Sequence, residues 1–272
     1  MALPVQKVRN HLFFSAHEPK NLEFALNYQP LDCDRILLAG PASGVHHCLH
    51  VLKNIMNRMD KIEHGQYVYF LDSHGFRVVD SQRGERDAWN PTLLATHTTL
   101  NLIAYNPRPK YLIIIRNPKD ICVSIYRSWK SQTDLNIEFN AFFEMFITGR
   151  ELPYGDYFEA MRVQWEHRDR GNCTLITYES LVDSPKNSIL KMSEFLDLPN
   201  ARAPVVMTAL LYIIQTNDVK WDGMPGDWRA VLTQSQSDLI DEKVKDVWMG
   251  RVWSRFGNGR CNGRHIWMTN RF

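Results

Sequence analysis

The fold is decided by residues 33–50, Cys-Asp-Arg-Ile-Leu-Leu-Ala-Gly-Pro-Ala-Ser-Gly-Val-His-His-Cys-Leu-His. The apolar run at 35–39 predicts a short buried strand that ends at Gly40 and Pro41. The apolar spacing beyond the turn predicts a helix over roughly residues 44–61. A helix in this position can bind an anion, because its first N–H groups and its dipole point into the turn. We therefore expect a phosphate or sulfate site here.

The side chains of this turn differ from those of the common phosphate-binding loop. That loop carries a lysine and a hydroxyl that binds magnesium, whereas Ala42, Val45 and His46 occupy the turn here. The pattern therefore argues against an ordinary phosphate-loop hydrolase or kinase.

Strands and helices alternate along the chain beyond this stretch. Residues 111–115, Tyr-Leu-Ile-Ile-Ile, predict a central parallel strand because they are apolar on both faces, and residues 173–178 predict another. Helices are predicted over residues 118–130, 139–147, 157–168 and 184–196, with a brief one at 100–105. Short strand-like runs lie at 66–71 and 76–79. This alternation is typical of an α/β fold with three layers, in which helices flank a central parallel sheet.

The two ends of the chain carry weaker patterns. Residues 1–30 show no clear period, and we expect irregular structure with one short edge strand. Residues 250–272 hold arginines and aromatics without an acid, which indicates a loosely packed basic tail. With no internal repeat or linker, we expect one domain over residues 1–272 with a core at about 33–248.

Composition limits the class of protein and its compartment. A formal net charge of +2 over 272 residues argues against a dedicated nucleic-acid binder. The 5 cysteines are widely spaced and odd in number, which favours reduced thiols and a cytoplasmic location. The N-terminus lacks the features of a secretory signal. No apolar run is long enough to predict a membrane span.

The opening helix also contains potential metal ligands. His46 and His50 are spaced i,i+4 with Cys48 between them, a spacing that metals can use. Because no fourth ligand is evident, we predict no metal site and expect partly exposed residues of the first helical turns instead.

Four later segments complete a pattern. Thr96 and His97 form the first, and residues 116–120, Arg-Asn-Pro-Lys-Asp, followed by Ser124, form the second. The third joins residues 157–165 to residues 175–181, and the fourth is 223–228, Gly-Met-Pro-Gly-Asp-Trp. In this order and spacing, with the opening turn, the chain resembles the cytosolic sulfotransferase family over about residues 36–238.

The resemblance implies an activity and a set of site residues. This family transfers a sulfuryl group from 3′-phosphoadenylyl sulfate (PAPS) to a hydroxyl or amine of a small molecule, without a metal. His97 would be the catalytic base, a role for which imidazole is suited because it titrates near neutral pH. The residues that would bind PAPS are Ser43, Gly44, Arg116, Ser124, Tyr178 and Gly223.

The chain also departs from the family pattern. The family's opening loop resembles Tyr-Pro-Lys-Ser-Gly-Thr-Thr-Trp, and residues 40–47 read Gly-Pro-Ala-Ser-Gly-Val-His-His. Family side chains are therefore replaced at Ala42, Val45, His46 and His47, and further replacements are Ala95, Trp221 and Asp222. Two hypotheses stay open: an active sulfotransferase, in which a protonated His46 or His47 partly replaces the lysine, and a catalytically impaired relative that acts as a binding or scaffold protein.

The family's dimer motif is only loosely matched. Arg229, Thr233 and Asp238 correspond to its lysine, threonine and glutamate, while Gln234 stands in the valine position. A homodimer is therefore possible on a degenerate motif.

Overall fold

A computed structural model describes residues 5–57, 68–72, 93–132, 137–198 and 223–255 of the chain. Its centre is a parallel sheet of five strands. An antiparallel hairpin, β1 (Val5–Val8) and β2 (His11–Phe14), lies outside that sheet. The sheet strands are β3 (Arg35–Ala39), β4 (Val68–Phe70), β5 (Leu93–Thr96), β6 (Lys110–Ile115) and β7 (Cys173–Thr177). Their spatial order is β4-β5-β3-β6-β7.

Helices connect and cover the strands. Those of the first half are α1 (Pro19–Asn27), α2 (Val45–Asn57) and α3 (Pro118–Gln132). Those of the second half are α4 (Phe139–Thr148), α5 (Tyr157–His167), α6 (Tyr178–Asp183), α7 (Pro185–Phe195) and α8 (Gln234–Arg255). A 3₁₀ turn, Asp227–Ala230, precedes α8.

The inner strands β3, β5 and β6 bury both of their faces, as the apolar runs predict for 35–39 and 111–115. On β3, Ile36 and Leu38 pack into the core that α3, α4, α5 and α8 cover. Leu37 and Ala39 pack on the opposite face, against α2, α6 and α7. A strand that alternates between two cores must lie in the middle of three layers. The predicted α/β fold with a central parallel sheet is confirmed.

Parallel pairing brings the strand ends to one edge of the sheet. Residue Leu38 on β3 pairs with Thr96 on β5, and Ile115 on β6 pairs with Thr177 on β7. The residues that directly follow β5, β3, β6 and β7 are His97, Gly40, Arg116 and Tyr178. We call these four the strand-end row. Ligands of open α/β sheets bind at this edge.

The N-terminal prediction is wrong. Residues 5–27 form the hairpin β1–β2 and helix α1 rather than irregular structure with one strand. Val8 and Phe13 of the hairpin pack on Leu22 and Leu26, which are one helical turn apart on α1. The apolar residues of this small core come from three short elements, so no single period spans them.

Two further boundaries differ from the sequence prediction. The brief helix expected at 100–105 is wrong, since the segment is a turn in which the Leu102 N–H donates to the Thr99 carbonyl at 2.9 Å. A helix so short is difficult to nucleate.

Helix α8 continues to Arg255, so the predicted tail begins inside a helix. The strand predicted at 76–79 and residues 256–272 lie outside the described residues.

Helix α4 provides a test of the core. Phe142 is fully buried, and its ring contacts the rings of Tyr126 and Trp129 at centroid distances of 5.5 and 5.4 Å. We expect Phe142→Ala to lower the free energy of unfolding by about 3–5 kcal/mol, measured by urea denaturation. The control is Leu239→Ala, whose side chain is exposed and should change stability by less than about 0.5 kcal/mol. Equal losses in the two variants would contradict this packing.

Candidate active site

The turn after β3 has the backbone of an anion cradle. The Ser43 N–H donates to the Gly40 carbonyl at 3.1 Å, and the Cys48 N–H donates to the Gly44 carbonyl at 3.0 Å as α2 begins. Gly44 has a φ of 89°, a conformation that favours glycine. Because α2 begins directly beyond this turn, its first N–H groups lie at the turn. The phosphate or sulfate site expected here stays a prediction.

The Ser43 side chain lies beneath the turn. It is fully buried, in the interior beside Gly40 and the ring of Tyr157. The Tyr157 hydroxyl donates to the Arg116 carbonyl at 2.7 Å and accepts from the Arg116 N–H at 3.1 Å. Burial raises the pKa of Tyr157, which keeps this hydroxyl protonated. Ser43 and Tyr157 thus support the cradle from below.

Arg116 is a buried cation that joins the cradle to the glycine-rich segment. Only 4% of the residue is exposed. Its Nη1 donates to the Ala42 carbonyl at 2.9 Å, and its Nη2 donates to the Gly223 carbonyl at 2.6 Å. The guanidinium carbon also lies 4.4 Å from the centre of the Tyr178 ring, which is a cation–π contact. One side chain therefore connects three of the predicted site segments.

Tyr178 lies between the cradle and Arg116. A Cβ atom added at Gly44 would overlap the Tyr178 ring, so the ring packs directly on the turn. Burial raises the pKa of Tyr178, and this effect outweighs the opposing charge of Arg116. The Thr177 side chain caps α6 by accepting the Ser180 N–H, which fixes where the Tyr178 backbone leaves β7.

The structure thus brings together most of the predicted donor-side residues. Within the described part of the chain, Tyr178 contacts both Gly44 and Arg116, and Arg116 in turn contacts Gly223. Ser124 lies half-buried on α3, about two helical turns beyond the Arg116 end.

Asp120 is a site residue that the sequence analysis missed. Its carboxylate accepts the Gly226 N–H at 2.9 Å and the Trp228 N–H at 3.2 Å. Burial raises the pKa of Asp120, while the two N–H bonds oppose that rise. Arg116 and Asp120 therefore hold the two ends of the glycine-rich segment. The sequence did contain a signal for Asp120, because Arg116 and Asp120 belong to the same Arg-Asn-Pro-Lys-Asp motif.

His97 stands at the other end of the strand-end row. Its Nδ1 lies 2.7 Å from the Ala39 carbonyl oxygen. Since a carbonyl can only accept, Nδ1 carries the hydrogen, and Nε2 of the neutral ring holds a lone pair. The ring packs between Phe70 and Tyr154, each at a centroid distance of 5.3 Å, and lines a cavity beside Gly40. This tautomer is the one that a general base needs.

The described residues that depart from the family pattern lie in different surroundings. Val45 is 3% exposed and Ala95 fully buried, and both belong to the core beneath α2. His46 is exposed and its ring lies 5.4 Å from the Phe70 ring, while His47 lies edge-on to Tyr178 at 6.3 Å. Ala42 contributes its carbonyl to Arg116.

The predicted residues Trp221 and Asp222 lie outside the described residues.

The potential metal ligands of α2 lie in different surroundings. Cys48 is buried, with its Sγ 3.5 Å from the Met192 sulfur, and burial raises the pKa of its thiol. His46 is exposed, and the His50 side chain is not described. In the described ranges, no group of three or more His, Cys, Asp or Glu side chains could hold a metal ion. Among the described residues, no disulfide joins Cys33, Cys48, Cys122 and Cys173.

Comparison with known proteins identifies the family. Residues 32–252 match the model of the sulfotransferase domain. The chain belongs to the sulfotransferase family. A firefly (Photinus pyralis) luciferin sulfotransferase is 29% identical over 59% of this chain and 41% of its own length. Mouse sulfotransferase 2A6 is 26% identical over 80% of this chain and 85% of its own length.

Solved structures show the same sulfotransferase fold. The mouse sulfotransferase SULT7A1, solved in complex with PAP, superposes with a TM-score of 0.70 at 20% identity. The match covers 93% of this chain and 98% of that one. Among the helices described here, none has the length and apolar character that a membrane crossing requires.

The contact between Gly44 and Tyr178 can be tested with a matched pair of glycines. Gly44 and Gly155 both have positive φ, 89° and 80°, but a Cβ at Gly155 would meet no atom within 4 Å. Alanine at either position suffers the left-handed backbone cost of about 1–2 kcal/mol. We expect Gly44→Ala to lose at least about 1 kcal/mol more than Gly155→Ala in urea unfolding, because it also displaces the Tyr178 ring. Equal losses would show that the ring does not pack there.

Proposed function

We propose that this sulfotransferase transfers a sulfuryl group from PAPS to the hydroxyl or amine of a small acceptor. The observation that carries the proposal is the hydrogen bond from His97 Nδ1 to the Ala39 carbonyl at 2.7 Å. This bond leaves Nε2 as the basic nitrogen, in a cavity that borders the anion cradle.

The residues divide the reaction between them. His97 Nε2 takes the proton from the acceptor as the acceptor oxygen or nitrogen attacks the sulfur of PAPS. A new bond to sulfur forms while the bond from sulfur to the phosphate oxygen breaks. The N–H groups at the start of α2 face the oxygen on which negative charge develops, and such preorganised donors lower the barrier.

Arg116, Ser124 and Tyr178 would bind the nucleotide side of PAPS. Arg116 is suited to phosphate because a guanidinium presents a planar fork of donors. In the described structure two of its nitrogens donate to the carbonyls of Ala42 and Gly223. These two bonds use two of the five N–H groups of the guanidinium, and Nε has no hydrogen-bond partner among the described residues. Donors therefore remain for a phosphate while Arg116 still holds the glycine-rich segment.

The acceptor side has apolar walls. The cavity at His97 is lined by Phe14, Leu152 and Tyr154 among others, which favours a small acceptor with an apolar body. We propose a cytoplasmic location, which rests on the odd number and the wide spacing of the 5 cysteines in the sequence. A homodimer stays a prediction, and Gln234 and Asp238 of its degenerate motif bond to each other at 2.8 Å on the exposed face of α8.

A second candidate is an impaired relative that binds ligands or partners without turnover. Ala42 supplies no cation in the turn, and Val45 is buried in the core where a hydroxyl would be needed. Loss of one charge-stabilising donor commonly costs 10²–10³ in rate, about 3–4 kcal/mol.

Donor binding tests whether the turn after β3 faces the phosphates of the nucleotide. We expect 3′-phosphoadenosine 5′-phosphate (PAP), titrated by calorimetry, to bind and to bind roughly 10-fold more tightly to Ala42→Lys, because an added cation contributes about 1.4 kcal/mol when it meets a phosphate. Ala42→Gln is the matched control for side-chain length without charge, and it should not gain affinity. If Ala42→Lys gains nothing, this position does not face the phosphates.

Turnover tests the active candidate. With labelled PAPS and a panel of phenols, amines and steroids, we expect His97→Ala to lower kcat by about 10²–10⁴-fold while PAP affinity stays unchanged. His167→Ala is the control, because the His167 Nδ1 also bonds to a backbone carbonyl, that of Val163 at 2.6 Å, yet lies away from the strand-end row. If no acceptor is sulfated although PAP binds tightly, the impaired relative is the correct candidate.

A further inference from the structure

We propose that Asp72 is a positioning residue for His97, an inference that rests on the proposed function. Asp72 follows β4, the edge strand that pairs with β5. It is fully buried. Asp72 is the second residue after β4, so it lies next to the His97 end of the strand-end row.

The carboxylate of Asp72 fixes the point where β5 ends. One oxygen, Oδ1, accepts the Thr96 hydroxyl at 2.5 Å, and the other, Oδ2, accepts the His97 N–H at 2.8 Å. The Thr96 oxygen in turn accepts the Thr98 N–H at 3.1 Å. The backbone on both sides of His97 is thus tied to one buried group, which limits the positions that its side chain can reach.

A second contact of Asp72 reaches the ring of His97 through Tyr154. The Tyr154 hydroxyl donates to Oδ2 at 3.3 Å. The Tyr154 ring stands edge-on to the imidazole, with an interplanar angle of 78°. Asp72 therefore orients both the backbone of His97 and the aromatic wall against which its ring packs.

These contacts complete a three-point support for the base. The Ala39 carbonyl sets the Nδ1 end of the ring, Tyr154 sets its plane, and Asp72 sets its backbone. A displacement of about 1 Å in a reacting group can cost roughly 10²-fold in rate. The support therefore acts on kcat more than on donor affinity.

Asp34 provides a matched control at the opposite end of the strands, where β3 begins. It directly precedes β3 and is also buried, at 1% exposure. Its carboxylate likewise accepts a hydroxyl and an N–H, from Tyr28 at 2.6 Å and from Leu31 at 2.8 Å. Removing either carboxylate leaves buried donors unpaired and should lower stability by similar amounts. Only Asp72 contacts His97.

The first test reads the imidazole and needs no activity. In ¹⁵N-labelled protein at about pH 8.5, where imidazole groups are neutral, we expect His97 to show one protonated Nδ1 and one unprotonated Nε2. His97→Gln assigns the signals. Asp72→Ala should convert this pattern to a tautomer average, while Asp34→Ala should leave it unchanged. If Asp72→Ala is not folded, Asp72→Asn and Asp34→Asn make the same comparison, because a single amide oxygen cannot replace both carboxylate oxygens.

The second test reads catalysis. Asp72→Ala should lower kcat by about 10²-fold with the KM for PAPS nearly unchanged, and Asp72→Asn should recover part of the loss. Combined with His97→Ala, Asp72→Ala should cause little further loss, because the effects of residues that act as a unit are not additive.

Equal effects of the Asp72 and Asp34 variants on the ring signals would overturn the proposal. If the unsubstituted protein transfers no sulfuryl group, the proposed function fails, while the ring signals still decide whether Asp72 orients His97.

Discussion

Parallel pairing of the central strands is the constraint on which the site depends. Because β5, β3, β6 and β7 run in the same direction, the residues that follow them meet at one edge. His97, Gly40, Arg116 and Tyr178 are separated along the chain but lie in neighbouring positions across about three strand spacings, roughly 14 Å. The hydrogen bond from His97 to the Ala39 carbonyl links two of these neighbours directly. The sheet therefore sets the distance between His97 and Arg116 before any loop contributes.

Arg116 connects stability to ligand binding. A charge with 4% exposure requires strong compensation, and here it comes from two backbone carbonyls and the face of Tyr178. The nearby Glu179 accepts the Asn117 N–H at 2.9 Å, and burial raises the pKa of Glu179. The Arg116 guanidinium thus contacts carbonyls and a ring, while Glu179 bonds to the backbone of Asn117. The same guanidinium that binds the loops together is the group that would meet a phosphate.

Most of the fold could be predicted from the sequence, because buried parallel strands are continuous apolar runs. The strand at residues 35–39 and the core strand at residues 111–115 were of this kind. The glycine turn could also be predicted, and Gly44 does adopt a positive φ. The hairpin and α1 could not be predicted, because their small core combines apolar residues from three elements.

The contacts that hold His97 in place were harder to predict from the sequence than His97 itself. His97 follows a recognisable Thr-His pair, whereas Asp72 is one acid after a strand of three residues. Its partners Thr96 and Tyr154 are distant in the chain, so no local pattern indicates the contacts. Placing Asp72 required the pairing of β4 with β5. Hydrogen-bond networks across strands depend on register, which composition and periodicity do not contain.

The order of the strands also has a consequence for folding. β3 is first in the chain among the sheet strands but lies at the centre, and β4 can pair only after β5 is in place, because β5 separates it from β3. Every pairing in the sheet is long-range, and such topologies fold slowly. On the other side β7, which Tyr178 directly follows, is the last of the described strands in the chain and docks at the edge of the sheet. Until it docks, Arg116 lacks its aromatic partner Tyr178, so the surroundings of Arg116 should form after those of His97 as the chain leaves the ribosome.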